Sequence, residues 1–219
     1  MEQIRQKIKE QRVLPLFYHD NADTCVSVMR ALYDGGIRCL EFTNRGFFAI
    51  DNFRRMVAVR NEFMPDLLLA IGTVKTAEDA TRFAEAGADF LISPVFDPGV
   101  AEVAQLYKML WIPGCTTPTE IHAAQKAGCT VIKLFPGNML GPGFVEAIAP
   151  LFMGLDYVVT GGVEPTMESM NSWFKAGVVA VGLGSKLITK EVLATGNYEQ
   201  LKTQTRNIIA IARGANQGS

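Results

Sequence analysis

Residues 127–138 read AGCTVIKLFPGN. Gly128 follows a segment of helical period and can take the left-handed conformation that closes the last turn of a helix. Thr130–Phe135 is then a β-rich apolar run, and Pro136-Gly137 ends it. Lys133 interrupts the run. An ammonium in an apolar wall loses most of its hydration, so its site has to supply a partner, release the proton or use the lysine in chemistry.

The helix–glycine–strand junction recurs at Gly35-Gly36-Ile37, Ala86-Gly87-Ala88 and Ala176-Gly177-Val178. Counted between glycines 36, 87, 128 and 177, the intervals are 51, 41 and 49 residues. Eight strand candidates lie along the chain: Val13–Tyr18, Ile37–Thr43, Leu67–Thr73, Asp89–Ser93, Leu110–Gly114, Thr130–Phe135, Asp156–Thr160 and Val178–Gly182. The four junctions precede the second, fourth, sixth and eighth of them. Segments of helical period separate the strands, with a last helix near Tyr198–Arg213 and a short extra one at Glu2–Glu10.

Strict β/α alternation implies a parallel sheet with right-handed crossovers. A unit of two β/α pairs repeated four times closes as a (β/α)8 TIM barrel, here with an extra N-terminal helix. No linker or composition shift divides the chain, so residues 1–219 are expected to form one barrel domain. The rival, an open dinucleotide-binding sheet, would carry G-x-G-x-x-G after its first strand, where this chain has Tyr18-His19-Asp20-Asn21.

Composition narrows the partners. Hydrophobic residues make up 48% of the chain and charged residues 20%, which is ordinary globular usage. With 21 basic against 22 acidic residues and no basic stripe among aromatics, nucleic acid is not an expected partner. No apolar run reaches the roughly 18 residues of a membrane span, and the opening MEQIRQKIKE is too charged for a signal-peptide core. A cytoplasmic location is expected. Cys25, Cys39, Cys115 and Cys129 show no metal-ligand spacing and read as reduced core residues. With only His19 and His122 besides, no metal site is expected.

Polar and small residues gather at the carboxyl ends of the strands: Glu41 and Thr43, Thr73, Ser93, Gly114, Lys133 and Thr160. In a β/α barrel these ends share one mouth, where active sites are built. Alternation along the sixth strand puts Val131, Lys133 and Phe135 on one side. Lys133 could be a buried lysine paired with Glu41, or a neutral amine that attacks a carbonyl while Glu41 moves protons. Arg45, just beyond Glu41, suits a substrate carboxylate. Glycine-rich loops, Thr160-Gly161-Gly162 after the seventh strand and Gly182-Leu183-Gly184-Ser185 after the eighth, occupy the recurrent phosphate-cup positions of these barrels.

Taken in order, Leu40-Glu41-Phe42-Thr43-Asn44-Arg45, Ile71-Gly72-Thr73-Val74, Ile92-Ser93-Pro94, Ile112-Pro113-Gly114-Cys115-Thr116-Thr117-Pro118, Ile132-Lys133-Leu134-Phe135-Pro136 and Val159-Thr160-Gly161-Gly162-Val163 resemble the 2-keto-3-deoxy-6-phosphogluconate (KDPG) / 4-hydroxy-2-oxoglutarate (KHG) aldolase family. The resemblance spans most of the chain. It implies a trimeric (β/α)8 class I aldolase, free of metal and external cofactor, that cleaves a 2-keto-3-deoxy sugar acid phosphate into pyruvate and an aldehyde. By position, Lys133 resembles the Schiff-base lysine and Glu41 the acid/base glutamate. Arg45 and Thr73 match the pyruvate end, Pro113 and Phe135 the imine pocket, and Thr160 a substrate contact. Gly161, Gly162, Gly184 and Ser185 match the phosphate site. The chain departs from the family pattern at Ala70, Val95 and Val159, and Phe17 stands where some members carry arginine. Two alternatives remain at this stage: a sugar-phosphate isomerase or epimerase on the same scaffold, and a non-catalytic phosphometabolite-binding protein.

Overall fold

The computed structural model describes residues 1–215; residues 216–219, which the expected domain span includes, lie outside the described residues. In chain order the elements are α1 (Glu2–Gln11), β1 (Val13–Phe17), α2 (Ala22–Asp34), β2 (Cys39–Thr43), α3 (Ala49–Phe63), β3 (Leu68–Gly72), α4 (Ala77–Glu85) and β4 (Phe90–Ile92). There follow α5 (Pro98–Leu106), β5 (Leu110–Ile112), β6 (Gly114–Cys115), α6 (Pro118–Lys126), β7 (Val131–Leu134), α7 (Gly137–Leu140), α8 (Pro142–Ile148), β8 (Asp156–Thr160), α9 (Met167–Lys175), β9 (Val178–Leu183), α10 (Lys190–Thr195) and α11 (Tyr198–Gly214). Nine strand segments make one parallel sheet in the order β5-β4-β3-β2-β1-β9-β8-β7-β6.

The two outermost segments, β5 and β6, are consecutive pieces of a single stave parted at Pro113, so the sheet curls round to meet itself. Proline has no N–H to give a ladder, and here the stave changes partner: β5 pairs with β4, β6 with β7. The Pro113 carbonyl still accepts the Lys133 N–H at 2.9 Å. The continuous fifth strand expected over Leu110–Gly114 is thus a broken one, and the break is where the barrel closes.

All four junction glycines have positive φ: 107° at Gly36, 94° at Gly87, 85° at Gly128 and 107° at Gly177. The motif that implied a barrel from sequence therefore works as expected, ending a helix and turning the chain into a strand. Most crossover helices also begin on a side-chain cap, as Asn21, Thr76, Asp97, Thr117 and Thr166 accept backbone N–H groups of their first turns. Two elements were not expected. The four-residue turn α7 is too short to show a period, and α10 fits between the Thr189 cap and Gly196 at φ 66°. The helix α8 gives way at Ile148 to a 3-10 turn over Ala149–Leu151, because Pro150 cannot donate.

Two apolar layers result. Inside the barrel Leu14, Cys39, Ala70, Phe90, Val131 and Val158 pack together, and Ile8 of α1 joins them. Between barrel and helices lies the larger layer, which takes Ile132 and Leu134. Successive residues of β7 therefore alternate between the layers, and Lys133 falls on the inner side with Val131. At the amino-terminal end, α1 closes the barrel. Asp156 at the start of β8 accepts from Arg5 Nε at 2.6 Å and Lys9 Nζ at 3.3 Å. Gln11 bonds the carbonyls of Val13 and Cys39 and the N–H groups of Arg38 and Cys39. The helix α1 thus covers the amino-terminal end of the barrel, opposite the carboxyl mouth.

Candidate active site

Glu41 on β2 and Lys133 on β7 come from opposite sides of the barrel and meet within it, with Lys133 Nζ 3.6 Å from Glu41 Oε1. Their side chains are only 7% and 2% exposed. At 3.6 Å the contact is an ion pair with poor hydrogen-bond geometry, and Oε1 makes no hydrogen bond. A buried carboxylate oxygen without a hydrogen bond is costly for folding, and such cost concentrates at functional sites.

The surroundings hold the pair in place. Glu41 sits opposite Ala70 in the β2–β3 register, and its carboxyl extends across Gly72 at the end of β3. A Cβ at residue 72 would stand 1.8 Å from Oε1, so glycine is what leaves room for the carboxylate. The sequence contained this signal, since a glycine at a strand end marks a close approach, but not its object. Thr73, the next residue, has φ 62°, a conformation rarely adopted by β-branched residues. On the other side, the Phe135 ring centroid lies 5.5 Å from Lys133 Nζ, and buried Pro113 is bonded to the Lys133 backbone. Lysine, glutamate and an aromatic wall are therefore assembled, as the strand-end pattern indicated.

Beyond the pair, the loops after β8 and β9 frame a cavity of about 280 Å³ lined by Thr160, Gly161, Gly162, Gly184 and Ser185. Gly161 and Gly162 have φ of 91° and 73°. Gly162 abuts Asn138 of α7, where a Cβ would fall 2.6 Å from the Asn138 Cα. Thr160 leans over Gly182, whose missing side chain gives Oγ1 its place. Arg45, expected at the pyruvate end, is exposed and lines this glycine cavity. Glu164 and Lys186 line it as well, and sequence reading did not single them out.

Two residues counted among the polar strand ends serve the scaffold. The Ser93 hydroxyl accepts Trp111 Nε1–H at 2.8 Å in the layer outside the barrel, and Thr43 donates to the Phe17 carbonyl at 3.3 Å. Phe17 also belongs to the outer layer, edge-on to Phe42 at 5.4 Å between centroids. Among the described residues no three His, Cys, Asp or Glu side chains cluster as a metal site.

A lysine in an enclosed apolar wall with one carboxylate in reach and a glycine cup beside it equips a β/α barrel for imine chemistry on a carbonyl compound. Comparison with known proteins agrees. Residues 4–204 match the family of KDPG and KHG aldolases. Over 212 residues, 95% of this chain and 98% of the relative, the chain is 32% identical to the 2-dehydro-3-deoxy-phosphogluconate aldolase of Treponema pallidum. It is 29% identical over 202 residues, 92% of each protein, to the KHG/KDPG aldolase of Escherichia coli K12. Among solved structures, the KDPG aldolase of Legionella pneumophila, with pyruvate captured as a covalent carbinolamine, superposes with a TM-score of 0.82 at 26% identity, covering 92% of this chain and 96% of that one. The chain belongs to the KDPG and KHG aldolase family.

Proposed function

We propose that this protein is an aldehyde-lyase that cleaves a 2-keto-3-deoxy sugar acid, 6-phosphorylated, into pyruvate and an aldehyde such as glyceraldehyde 3-phosphate, with Lys133 as imine-forming residue. The observation that carries the reading is the buried contact between Lys133 Nζ and Glu41 Oε1 at 3.6 Å inside the barrel mouth. Glu41 takes a proton from the Lys133 ammonium, the freed amine adds to the C2 ketone, and return of that proton to the carbinolamine hydroxyl expels water and leaves a protonated imine. That iminium draws the electrons of the C3–C4 bond towards nitrogen. Glu41, directly or through water, takes the proton of the C4 hydroxyl as the bond breaks, which releases the aldehyde. Glu41, or the water it polarises, returns that proton to C3 of the remaining enamine, and hydrolysis of the iminium so formed frees pyruvate and the Lys133 ammonium.

In this reading Thr73 and Arg45 hold the carboxylate end, Pro113 and Phe135 wall the imine, and Thr160 contacts the substrate chain. Gly161, Gly162, Gly184 and Ser185 face the phosphate. The position of Arg45 beside the glycine cavity also suits a role towards the phosphate. Isomerase, epimerase and silent-binder alternatives are not favoured, because the relatives are aldolases.

Borohydride added together with pyruvate tests the reading: a pyruvate-derived mass is expected on the peptide that contains Lys133, and none in Lys133→Arg. Label found only on other lysines would sink the assignment. A panel of 2-keto-3-deoxy acids then identifies the substrate. A hydrogen bond to a charged group contributes about 1.5–3 kcal/mol, so two cup donors realised in the transition state imply a kcat/KM at least about a hundredfold higher with the phosphate than without it. We further infer one catalytic domain per chain, a homotrimer and a cytoplasmic setting. The trimer is what the family resemblance implies, and four free thiols suit a reducing compartment. A mass in light scattering other than three times 23.9 kDa would rule out the trimer.

A further inference from the structure

At the rim of the glycine cavity Lys186 Nζ lies 2.9 Å from Glu164 Oε1, with the two side chains 57% and 51% exposed. Both residues rise from anchored turns. The N–H groups of Leu187 and Ile188 return to the Gly184 carbonyl at 2.9 Å, and their side chains are buried. Glu164 follows buried Val163, and its own N–H donates to Ser169 Oγ at 3.1 Å. Each side chain therefore extends from a fixed base. A half-exposed pair of this kind contributes little to stability, so folding does not explain it.

Charge at the cavity suggests what it does. The lining contains two cations, Arg45 and Lys186, and one anion, Glu164. The Lys186 ammonium is paired with a single negative charge, that of Glu164. A dianion entering the cup offers a stronger partner, in charge-assisted hydrogen bonds, while Glu164 repels it. We infer that Lys186 is a specificity-determining residue that recognises the dianionic end of the substrate, and that Glu164 holds this ammonium in reserve and weakens the cup for dianions. The two residues together set how strongly phosphorylated substrate is preferred. The inference rests on the aldolase reading above.

Four proteins decide it: wild type, Lys186→Met, which keeps the length of the stem without its charge, Lys186→Arg and Glu164→Gln. Each is assayed with a 6-phosphorylated 2-keto-3-deoxy acid and its unphosphorylated counterpart, and titrated with inorganic phosphate in a calorimeter. Lys186→Met is expected to lower the kcat/KM ratio between the two substrates about tenfold, equivalent to about 1.4 kcal/mol, mainly through the KM of the phosphorylated one. It should weaken inorganic phosphate binding by a similar factor. Glu164→Gln should move both quantities the other way, by about threefold, a reversal that a merely structural pair would not produce. Lys186→Arg, which restores the charge, should recover much of the ratio. If Lys186→Met and Glu164→Gln both leave the ratio and the phosphate affinity at wild-type values, the inference is wrong, while pyruvate trapping in wild type still upholds the aldolase reading. If wild type neither traps pyruvate nor cleaves any of the acids, the aldolase reading fails. Dependence of inorganic phosphate binding on Lys186 would then still support the anion site.

Discussion

Glu41 reaches Lys133 because residue 72 has no side chain, and the backbone there is one that alanine adopts without strain. The whole cost of Gly72→Ala therefore falls on the carboxylate, which a Cβ at 1.8 Å must displace. A shift of about 1 Å in a reacting group can reduce turnover on the order of a hundredfold, and kcat/KM for pyruvate release is expected to fall by that much. Wild-type turnover in this variant would show that proton transfer does not run through Glu41. Thr73 carries a different cost. A β-branched residue at φ 62° stores about 1–3 kcal/mol, retained where recognition needs the side chain. Glycine relieves that strain but adds roughly 0.5–1 kcal/mol of chain entropy, so Thr73→Gly should melt no lower than wild type while its KM for substrate rises. A lower melting temperature with KM unchanged would make Thr73 a packing residue. Lys133 itself was legible as an oddity in an apolar run, and Glu41 as a polar strand end. Gly72 was visible only as a motif letter, because its meaning is the space it leaves for a residue on another strand.

Among the elements, α1 shows how a readable helix can hide its task. Its period marked an extra N-terminal helix, yet that it seals the barrel through Ile8 appears only in the packing. Deleting a buried branched side chain costs about 2–5 kcal/mol, so Ile8→Ala is expected to lower the urea midpoint by a corresponding amount while leaving kcat as it is. A fall in kcat would mean that the bottom of the barrel communicates with the mouth. At the other closure, α6 follows directly on β6 and starts with a capping box: Thr117 accepts from the Glu120 N–H, and Glu120 accepts the N–H groups of Thr116 and Thr117. Burial pushes the Glu120 carboxyl up, but these donors outweigh it and leave the group below its ordinary value. A carboxylate depressed in the folded state stabilises above its unfolded value and loses that contribution as pH falls through the folded one. Glu120→Gln should therefore be less stable than wild type at neutral pH, with the gap closing in strong acid. A gap that persists unchanged into acid would assign the effect to hydrogen bonding alone.

For the molecule as a whole, the four thiols report on the barrel's integrity. Burial pushes Cys25, Cys39, Cys115 and Cys129 each up to about 12, so near neutral pH they remain protonated and poorly nucleophilic. Alkylation with iodoacetamide at neutral pH is expected to be slow in the native protein and to become fast, with four equivalents taken up, only on unfolding. Rapid modification of Cys25, Cys39 or Cys115 in the native state would contradict their reading as core residues; Cys129, expected in the core with them, is only half-buried against it. Sequence alone determined the β/α alternation, the helix-ending glycines, the barrel class and the residue types at the strand ends. Those features are local: propensity, caps and period are set by neighbours a few positions away, and the chain order preserves them. Tertiary structure alone decided the closure at Pro113, the Glu41 carboxylate over Gly72, the outward turn of Ser93 onto Trp111, and the Lys186–Glu164 pair above the glycine cup. Each joins side chains from different strands or loops, and their separation depends on strand register and on how the sheet curls to meet itself, neither of which any short stretch of sequence contains.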